Sequence, residues 1–261
     1  MKYEDPFVIS KRSKRGLLVL ILASLGLIFF PRVYKFFQKE EALVINSEQI
    51  EQLETRYRAN LINSLGGFKS VVLIGTISAE GNTNLAIFNS MFHVGANPAL
   101  CGFIVRPDVS PRHTMQNILD TKYFTVNHIN EGIYENAHQT AARYPEGVSE
   151  FDEAKLTRQF IEGFSAPFVE ESYLKFGCEF QQKIDIEING TSMIIAKIIS
   201  IEYPKEALME DGYIDLEIAG SVAGNGLDGY HRTEEIGRLS YAKPNTWPKK
   251  FSLVTNSPEE E

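Results

Sequence analysis

The sequence predicts a mainly β domain, closed or nearly closed into a barrel, that carries a small helical insert. Several short segments rich in β-branched and aromatic residues follow one another between turn signals. Few helical segments separate them, and no repeat of solenoid length is visible. The 261 residues are 43% apolar and 23% charged, which is typical of a globular chain long enough to bury a core.

The first 40 residues are basic and contain an apolar run at 16–31. Five Lys or Arg residues precede this run and three follow it closely. The run is 16 residues long, slightly short of the roughly 20 that cross a bilayer, and no small-residue cleavage pattern follows it. It predicts an N-terminal, uncleaved single-pass membrane helix. A signal peptide with an obscure cleavage site and a dispensable extension on a cytoplasmic protein are the alternatives.

The sequence gives a weaker indication of the side of the membrane on which the body of the chain lies. The excess of basic residues before the run places the body outside the cytoplasm, but the margin is small. The remainder of the chain is acidic, with 18 Lys or Arg residues against 31 Asp or Glu residues in 41–261. This charge argues against a general binder of nucleic acid.

The first half of the body predicts a helix, three strands, a second helix and a fourth strand. Ser47 is the predicted cap of the first helix, which Gly66 and Gly67 end. A polar loop leads into the second helix, which runs through Leu119. The predicted strands cover residues 69–78, 84–94, 100–105 and 123–129.

The second half predicts a polar, helix-prone insert at 131–165 and then a return to strands. Asn189-Gly190 is a strong hairpin signal between strands at 178–188 and 192–203. A last strand is predicted at 213–220, and residues 248–261 form a loose acidic tail. The run Gly224–Gly229 fits G-x-G-x-x-G, but no helix follows it. It therefore predicts a flexible glycine-rich loop and not a dinucleotide site.

The cysteines and histidines are predicted to be packed structural residues and not nucleophiles or metal ligands. Two cysteines exclude a disulfide scaffold, and five scattered histidines argue against a histidine metal cluster. Cys101 and Cys178 lie in apolar strands, which predicts packed thiols and not nucleophiles. His93 and His128 also lie on predicted strands and are interpreted as structural.

A cationic loop is the feature that indicates a ligand. Arg106, Ser110, Arg112, His113 and Thr114 lie between a strand and a helix start, in an otherwise acidic body. Guanidinium groups, hydroxyls and the first free amides of a helix all bind phosphate. The loop therefore predicts a phosphate site, with compensation of nearby acidic side chains as the alternative.

The stretch around this loop resembles a known family. Residues 83–129, TNLAIFNSMFHVGANPALCGFIVRPDVSPRHTMQNILDTKYFTVNHI, are similar to the flavin reductase-like, FMN-binding split-barrel family. Residues 137–156 and 237–244 resemble its helical insert and its C-terminal closing segment, so the resemblance covers 47–247. It implies an α+β, mainly β fold: a six-stranded Greek-key split barrel with short helices, a homodimer and bound FMN.

The resemblance also implies which residues hold the flavin. The strand that binds the isoalloxazine corresponds to 84–90, and the phosphate loop corresponds to 106–114. Asn84, Ala86 and Ser90 have the parity of one strand face. The implied contacts on the flavin ring are Asn84, Leu85, Ala86, Ser90 and, near the flavin, Asn127.

The family implies a flavin-dependent oxidoreductase that passes electrons from NAD(P)H through flavin to an unidentified small-molecule or protein acceptor. The flavin supplies the chemistry, so no acid–base pair is required. Many two-component reductases of this family carry a histidine in the turn after Gly190, where this chain has Thr191 and Ser192. Two alternatives therefore stay open: a membrane-tethered electron-transfer protein reduced by a protein partner, and a flavin-binding module without turnover.

Overall fold

The computed structural model describes residues 42–107, 113–145 and 147–251. The chain divides into two units, residues 1–54 and 55–261. In the first unit, helix α1 covers Ser47–Gln52 and begins with a capping box. The side chains of Asn46 and Gln49 each accept a hydrogen bond from the other residue's backbone N–H. The cap is therefore Asn46, one residue before the predicted Ser47.

The second unit is mainly β, as the sequence predicts, with four α-helices and a 3₁₀ turn among its described residues. The helices are α2 (Thr55–Leu65), α3 (His113–Thr121), α4 (Tyr134–Gln139) and α5 (Glu150–Glu153), and the 3₁₀ turn is Lys205–Ala207. The strands are β1 (Lys69–Ser70), β2 (Val72–Ile77), β3 (Thr83–Phe88), β4 (Phe92–Ala96), β5 (Ala99–Val105), β6 (Tyr123–His128), β7 (Arg158–Gln159), β8 (Phe168–Val169), β9 (Lys175–Ile186), β10 (Thr191–Glu202), β11 (Ala223–Asn225) and β12 (Gly229–His231).

The main sheet has seven antiparallel strands in the order β3-β2-β6-β9-β10-β5-β4. Strand β3 is first in this order and β5 is sixth, yet the rings of Phe88 and Phe103 lie 5.0 Å apart. Phe103 also contacts Phe124 of β6, with ring centroids 5.6 Å apart. A flat sheet would separate these strands, so the sheet curls around a shared core into an open barrel.

The apolar run of β2 is explained by burial on both faces. Val72 and Ile74 belong to the barrel core, which also contains Ile118 of α3. Leu73 belongs to a second core outside the barrel, where the helical insert packs, including Phe151 of α5. A strand covered on both faces reads as a continuous apolar run and not as an alternation.

The strand predicted at 84–94 is two strands, and the sheet therefore has seven strands where six were expected. The break falls at residues 89–91, where the Ser90 hydroxyl donates to Ile104 O at 3.0 Å and accepts from Ile104 N at 3.1 Å. These bonds attach the connection between β3 and β4 to β5. The chain thereby passes from one edge of the sheet to the other.

Two further predictions are wrong. The strand predicted at 213–220 is absent: Ile214 makes an isolated β-bridge with Leu208, and residues 216–220 form turns. Asp215 Oδ1 accepts from the N–H of Glu217 and of Ile218 at 2.9 and 3.0 Å. Such side-chain bonds to nearby backbone compete with a sheet. The glycine-rich run at 224–229 is not a loose loop, because its ends belong to β11 and β12, which pair as a hairpin. It is also not a dinucleotide fingerprint.

The predictions for the long hairpin and the cysteines are confirmed. Strands β9 and β10 pair around the turn at Asn189-Gly190, and Gly190 has a φ of 68°, which favours glycine. Cys101 and Cys178 are both buried in the barrel core, with their sulfurs 3.7 Å apart. The predicted membrane helix at 16–31 lies outside the described residues. Within the ranges that are described, no helix is both long and apolar enough to cross a membrane.

Candidate functional site

The free edge of strand β3 is the centre of the candidate site. This strand pairs with β2 on one side only. The N–H of Leu85 points away from β2, since it donates to Glu150 Oε2 at 3.0 Å. Backbone groups alternate along an antiparallel strand, so the N–H and C=O of Ile87 point to the same open side. Such an edge can pair with a planar ligand that carries donors and acceptors along one side.

The start of this edge is held by the helical insert. Thr83 Oγ1 lies 2.9 Å from Ser149 Oγ, and Arg158 Nε donates to the same Thr83 oxygen at 2.8 Å. Arg158 also binds both carboxylate oxygens of Asp152, each at 2.7 Å. These bonds attach the first turn of α5 to β3. They place Glu150 against the Leu85 amide.

The half-buried carboxylate of Glu150 is the ionisable group that binds this edge directly. Burial raises its pKa above the usual range, while hydrogen bonds from the Leu85 N–H and its own backbone, and the nearby His113, oppose the increase. His113 is the first residue of α3. This electrostatic interaction indicates that the end of the predicted phosphate loop lies near the same strand edge.

The other end of the edge is held by the hairpin of β11 and β12. Asn89 Nδ2 donates to Gly226 O at 2.8 Å. Gly226 has a φ of 63°, and a Cβ there would lie 2.9 Å from Ser64 Oγ, so this tight turn requires glycine. Next to it, Asn225 Oδ1 is buried and has no hydrogen-bond partner among the described residues. A buried acceptor of this kind is costly unless a ligand or water donates to it.

A tyrosine and a histidine lie beside this hairpin. Tyr230 OH and His138 Nδ1 are 2.9 Å apart, and Tyr230 packs with Ile87 against the outer core. Burial, helped by Asp228, raises the pKa of Tyr230 to about 12. The phenol therefore keeps its proton at neutral pH. The Tyr230 ring, packed with Ile87, presents an uncharged aromatic surface near β3.

A buried polar cluster joins β3 to helix α3 inside the barrel mouth. Asn84 Nδ2 donates to Thr76 Oγ1 at 3.2 Å and to Thr114 Oγ1 at 3.0 Å. Asn117 Nδ2 donates to the same Thr76 oxygen at 3.1 Å. Thr114 accepts from Asn84, so its own hydroxyl proton is not used in that bond.

The structure brings several of the predicted site residues together. Asn84, Leu85, His113 and Thr114 converge between β3 and α3. Ala86 is half-buried on the strand face that it shares with Asn84 and Phe88, which is the face toward the barrel core.

Other predicted residues have different surroundings. Both hydrogen-bonding functions of Ser90 are used by Ile104. Asn127 is fully buried, donates to Leu73 O at 3.1 Å and accepts from Val169 N at 2.9 Å, so it ties β6 to β2 and β8. Arg106 is exposed just after β5. Ser110 and Arg112 lie outside the described residues.

A cavity of about 280 Å³ adjoins the site but does not contain the β3 edge. Its wall includes Glu131, Glu217 and Arg232, and Arg232 follows Tyr230 by two residues. Arg232 forms a bidentate ion pair with Glu131. The lining therefore combines this ion pair with apolar surface, and it includes Arg232 and Thr233 of the segment that follows Tyr230.

Sequence reasoning missed the residues that hold the two ends of the edge. Glu150 lies in a polar stretch that only indicated a helical insert, and Gly226 lies in the run interpreted as a loose loop. Tyr230 follows that run. The turn residues of 224–229 between two short apolar segments were a usable hairpin signal. No local pattern marks Glu150 as a partner of β3.

The family model of the flavin reductase-like domain matches residues 65–217 of this chain. The chain belongs to the flavin reductase-like family. This membership places it among the flavin oxidoreductases and confirms the resemblance seen around the phosphate loop. The matched residues include β3, α3 and the helical insert, and they end before the hairpin of β11 and β12.

Relatives of known structure share the fold. A candidate flavin reductase with a split barrel domain from Shewanella frigidimarina is 47% identical, with a TM-score of 0.75, over 77% of this chain and 100% of that chain. Nitrilotriacetate monooxygenase component B from Bacillus cereus is 21% identical, with a TM-score of 0.68, over 77% of this chain and 100% of that chain. The latter similarity concerns the fold alone.

An uncharacterised protein of Aquifex aeolicus is similar in sequence. It is 31% identical over 115 residues, which are 43% of this chain and 59% of that relative. The match therefore spans less than two thirds of the Aquifex protein.

Proposed function

We propose that this protein is an FMN-dependent oxidoreductase of the flavin-reductase type, which passes reducing equivalents from NAD(P)H through the flavin to an acceptor. The free edge of β3 carries the proposal. Its open backbone at Ile87 lies between the contacts that Glu150 makes with Leu85 and Gly226 makes with Asn89. The N-terminus of α3 adjoins the same strand.

The groups at this site fit FMN. One side of an isoalloxazine ring alternates hydrogen-bond donors and acceptors, and the Ile87 backbone offers both. The buried Asn225 Oδ1, which has no partner among the described residues, can accept from a bound ligand. For the phosphate, the chain offers the first amides of α3, the Thr114 hydroxyl and the guanidinium groups of Arg106 and Arg112.

Each residue at the site has a distinct task in this proposal. Asn84 orients the Thr114 hydroxyl so that its proton points to the phosphate. Glu150 accepts the hydrogen bond of the Leu85 N–H, so the flavin ring can pair only with the strand backbone after Leu85, at Ile87. Tyr230 retains its proton and excludes water from one side of the ring. When bound, flavin supplies the redox chemistry by accepting a hydride and releasing electrons to an acceptor.

A flavin-binding electron-transfer protein is the second candidate. The observation that favours it is the turn after Gly190, where Thr191 and Ser192 stand in place of the histidine found in many two-component reductases. In that case a protein partner and not NAD(P)H reduces the flavin.

We also propose that the protein is a homodimer attached to the membrane by the helix at 16–31. The family resemblance supports the dimer, and the basic, apolar leader supports the attachment. If the attachment is real, the full-length chain fractionates with membranes. Recovery in the soluble fraction would favour a cytoplasmic enzyme.

Flavin titration and nicotinamide oxidation test the proposed function. The purified chain should bind FMN, with visible flavin absorption, and should oxidise NADH or NADPH when FMN is present. Replacing Arg106 or Arg112 by Ala should weaken FMN binding by about tenfold or more and leave riboflavin binding unchanged, because a charge-assisted bond contributes roughly 1.5–3 kcal/mol. Arg143→Ala is the matched control, since Arg143 is exposed in the helical insert.

The outcomes separate the candidates. Flavin binding without nicotinamide oxidation supports the electron-transfer protein. Equal losses of FMN and riboflavin affinity would show that these arginines do not bind the phosphate. A protein that cannot be loaded with any flavin overturns both candidates.

A further inference from the structure

The C-terminal arm, residues 236–251, forms an extended hairpin at the end of the described chain. Phe251 N donates to Arg238 O at 3.0 Å, and Ser240 N donates to Lys249 O at 2.8 Å. Thr246 N donates to Lys243 O at 3.2 Å and closes the turn. The backbone of the arm is therefore held in a defined conformation by its own bonds.

The base of the arm is fixed to the rest of the second unit by one arginine. Arg238 forms an ion pair with Asp211, which holds the pKa of that carboxyl below its usual range. The guanidinium also lies over the Tyr213 ring at 4.0 Å and over the Phe251 ring at 5.0 Å. An arginine stacked between two rings is a specific attachment, because it combines charge with planar contact.

Three large apolar side chains of this ordered arm are almost fully exposed. Ile236 is 99% exposed, Tyr241 is 89% exposed and Trp247 is 90% exposed. Aromatic side chains of this size are the usual anchors of protein interfaces, and clustered exposed apolar groups mark binding surfaces. The arm thus has the composition of an interface without its partner.

The charge of the arm is opposite to that of the body. Residues 236–251 contain four Lys or Arg residues and no Asp or Glu, whereas residues 42–235 contain 14 basic and 27 acidic residues. A cationic arm with aromatic anchors is complementary to an acidic surface. The acidic body of a second copy of this chain supplies that surface.

We infer that the arm of each chain docks on the body of a second copy, so that two arms are exchanged across a two-fold axis. This inference rests on the proposed homodimer and names the segment that forms it. In an isologous dimer the two-fold axis makes the two contacts equivalent, so each arm docks once on the body of its partner. The four aromatic side chains of two arms bury about 600–1,000 Å², since aromatic residues bury about 150–250 Å² each, and the surface that they cover on the partner adds a comparable area. That area reaches the range of a specific interface.

An anionic membrane is the competing occupant, because tryptophan, tyrosine and lysine also suit a lipid interface. The negative charge of the body argues against a membrane as the occupant. The body's excess of carboxylates would be repelled by an anionic bilayer. The same carboxylates attract the arm of a second chain.

Trp247 makes the inference directly testable, because it is the only tryptophan in the chain. Full-length, flavin-free protein in a mild nonionic detergent is diluted across the dimer–monomer transition, which sedimentation follows. We expect Trp247 emission at shorter wavelength and weaker acrylamide quenching in the dimer than in the monomer. The dimer should also weaken as salt is added, since salt screens the charge attraction.

Substitutions inside and outside the arm test whether the arm itself forms the interface. Ile236→Asp and Tyr241→Asp should each raise the dimer dissociation constant at least tenfold. Ile188→Asp is the matched control, since Ile188 is 94% exposed in the turn between β9 and β10, outside the arm. It should change the dissociation constant less than twofold.

Each contrary result has a separate meaning. A dimer in which Trp247 stays fully quenchable overturns the docking of the arm and leaves the proposed dimer intact. A monomer at every concentration overturns both. An emission shift that needs vesicles containing phosphatidylserine, and does not depend on protein concentration, assigns the arm to a membrane and overturns the inference.

Discussion

The side-chain amide of Asn84 donates to the hydroxyl of Thr114 at 3.0 Å, and this bond joins edge strand β3 to the first turn of α3. The two residues belong to different halves of the candidate flavin site. Asn84 lies on the strand that would pair with the ring, and Thr114 lies at the helix that would hold the phosphate. One buried hydrogen bond therefore relates the two binding elements.

Replacing Thr114 by Val should test this relationship. The nearly isosteric change removes one acceptor for the Asn84 amide, which should lower the free energy of unfolding by about 1 kcal/mol. It also removes the free hydroxyl proton, so FMN affinity should fall more than riboflavin affinity. Urea denaturation and flavin titration measure the two effects. Thr121→Val at the far end of α3 serves as the control, and an identical flavin profile for both variants would contradict the role of Thr114.

Replacing Asn89 by Ala should loosen the hairpin of β11 and β12 from the edge of β3. The hydrogen bond from Asn89 to Gly226 O contributes about 1 kcal/mol, so its loss should lower flavin affinity roughly fivefold. Fluorescence titration with FMN measures the change. Asn82, exposed in the turn before β3, offers the control variant Asn82→Ala. Unchanged affinity in Asn89→Ala would show that the hairpin does not shape the site.

Glu150→Gln should alter how stability depends on pH. Burial raises the pKa of Glu150 in the folded state, so ionisation above its unfolded value near 4.5 costs stability in the wild type. Glutamine keeps an oxygen for the Leu85 amide and carries no charge. The stability of the variant relative to the wild type should therefore rise from pH 4.5 toward neutrality. Urea denaturation at several pH values checks this, and a constant difference would refute it.

His128→Asn should make the protein less sensitive to mild acid. Burial lowers the pKa of His128 from 6.5 to about 4, so between these values the unfolded chain binds a proton that the folded chain does not. Stability contributed by neutral His128 is lost as the pH falls below 6.5, up to about 3 kcal/mol. The variant should lose less stability across this interval, although removing the bond to Ser221 lowers its stability at neutral pH.

The control for this prediction is His93→Asn, because His93 is exposed on β4. Thermal unfolding of the three proteins at pH 7 and pH 5 gives the comparison. The same acid sensitivity in His128→Asn as in the wild type would count against the buried neutral imidazole.

Local sequence patterns were sufficient to predict most of the long strands and the barrel fold class. The hairpin at Asn189-Gly190 was predictable because the turn needs a residue with positive φ and the flanking strands alternate. The split of 84–94 into two strands was not predictable in this way. It depends on the Ser90 hydroxyl meeting the backbone of Ile104 on a strand that only the curled sheet brings near.

The sequence by itself determined the positions of most long strands along the chain, the hairpin turn at Asn189-Gly190 and the cationic composition of the loop before α3, because these follow from periodicity, turn chemistry and charge within short windows. Only the tertiary structure decided what holds the β3 edge. Glu150 reaches Leu85 across 65 residues of chain, and Gly226 reaches Asn89 across 137. Such contacts depend on how the sheet curls and where the connections return. No short-range propensity encodes them.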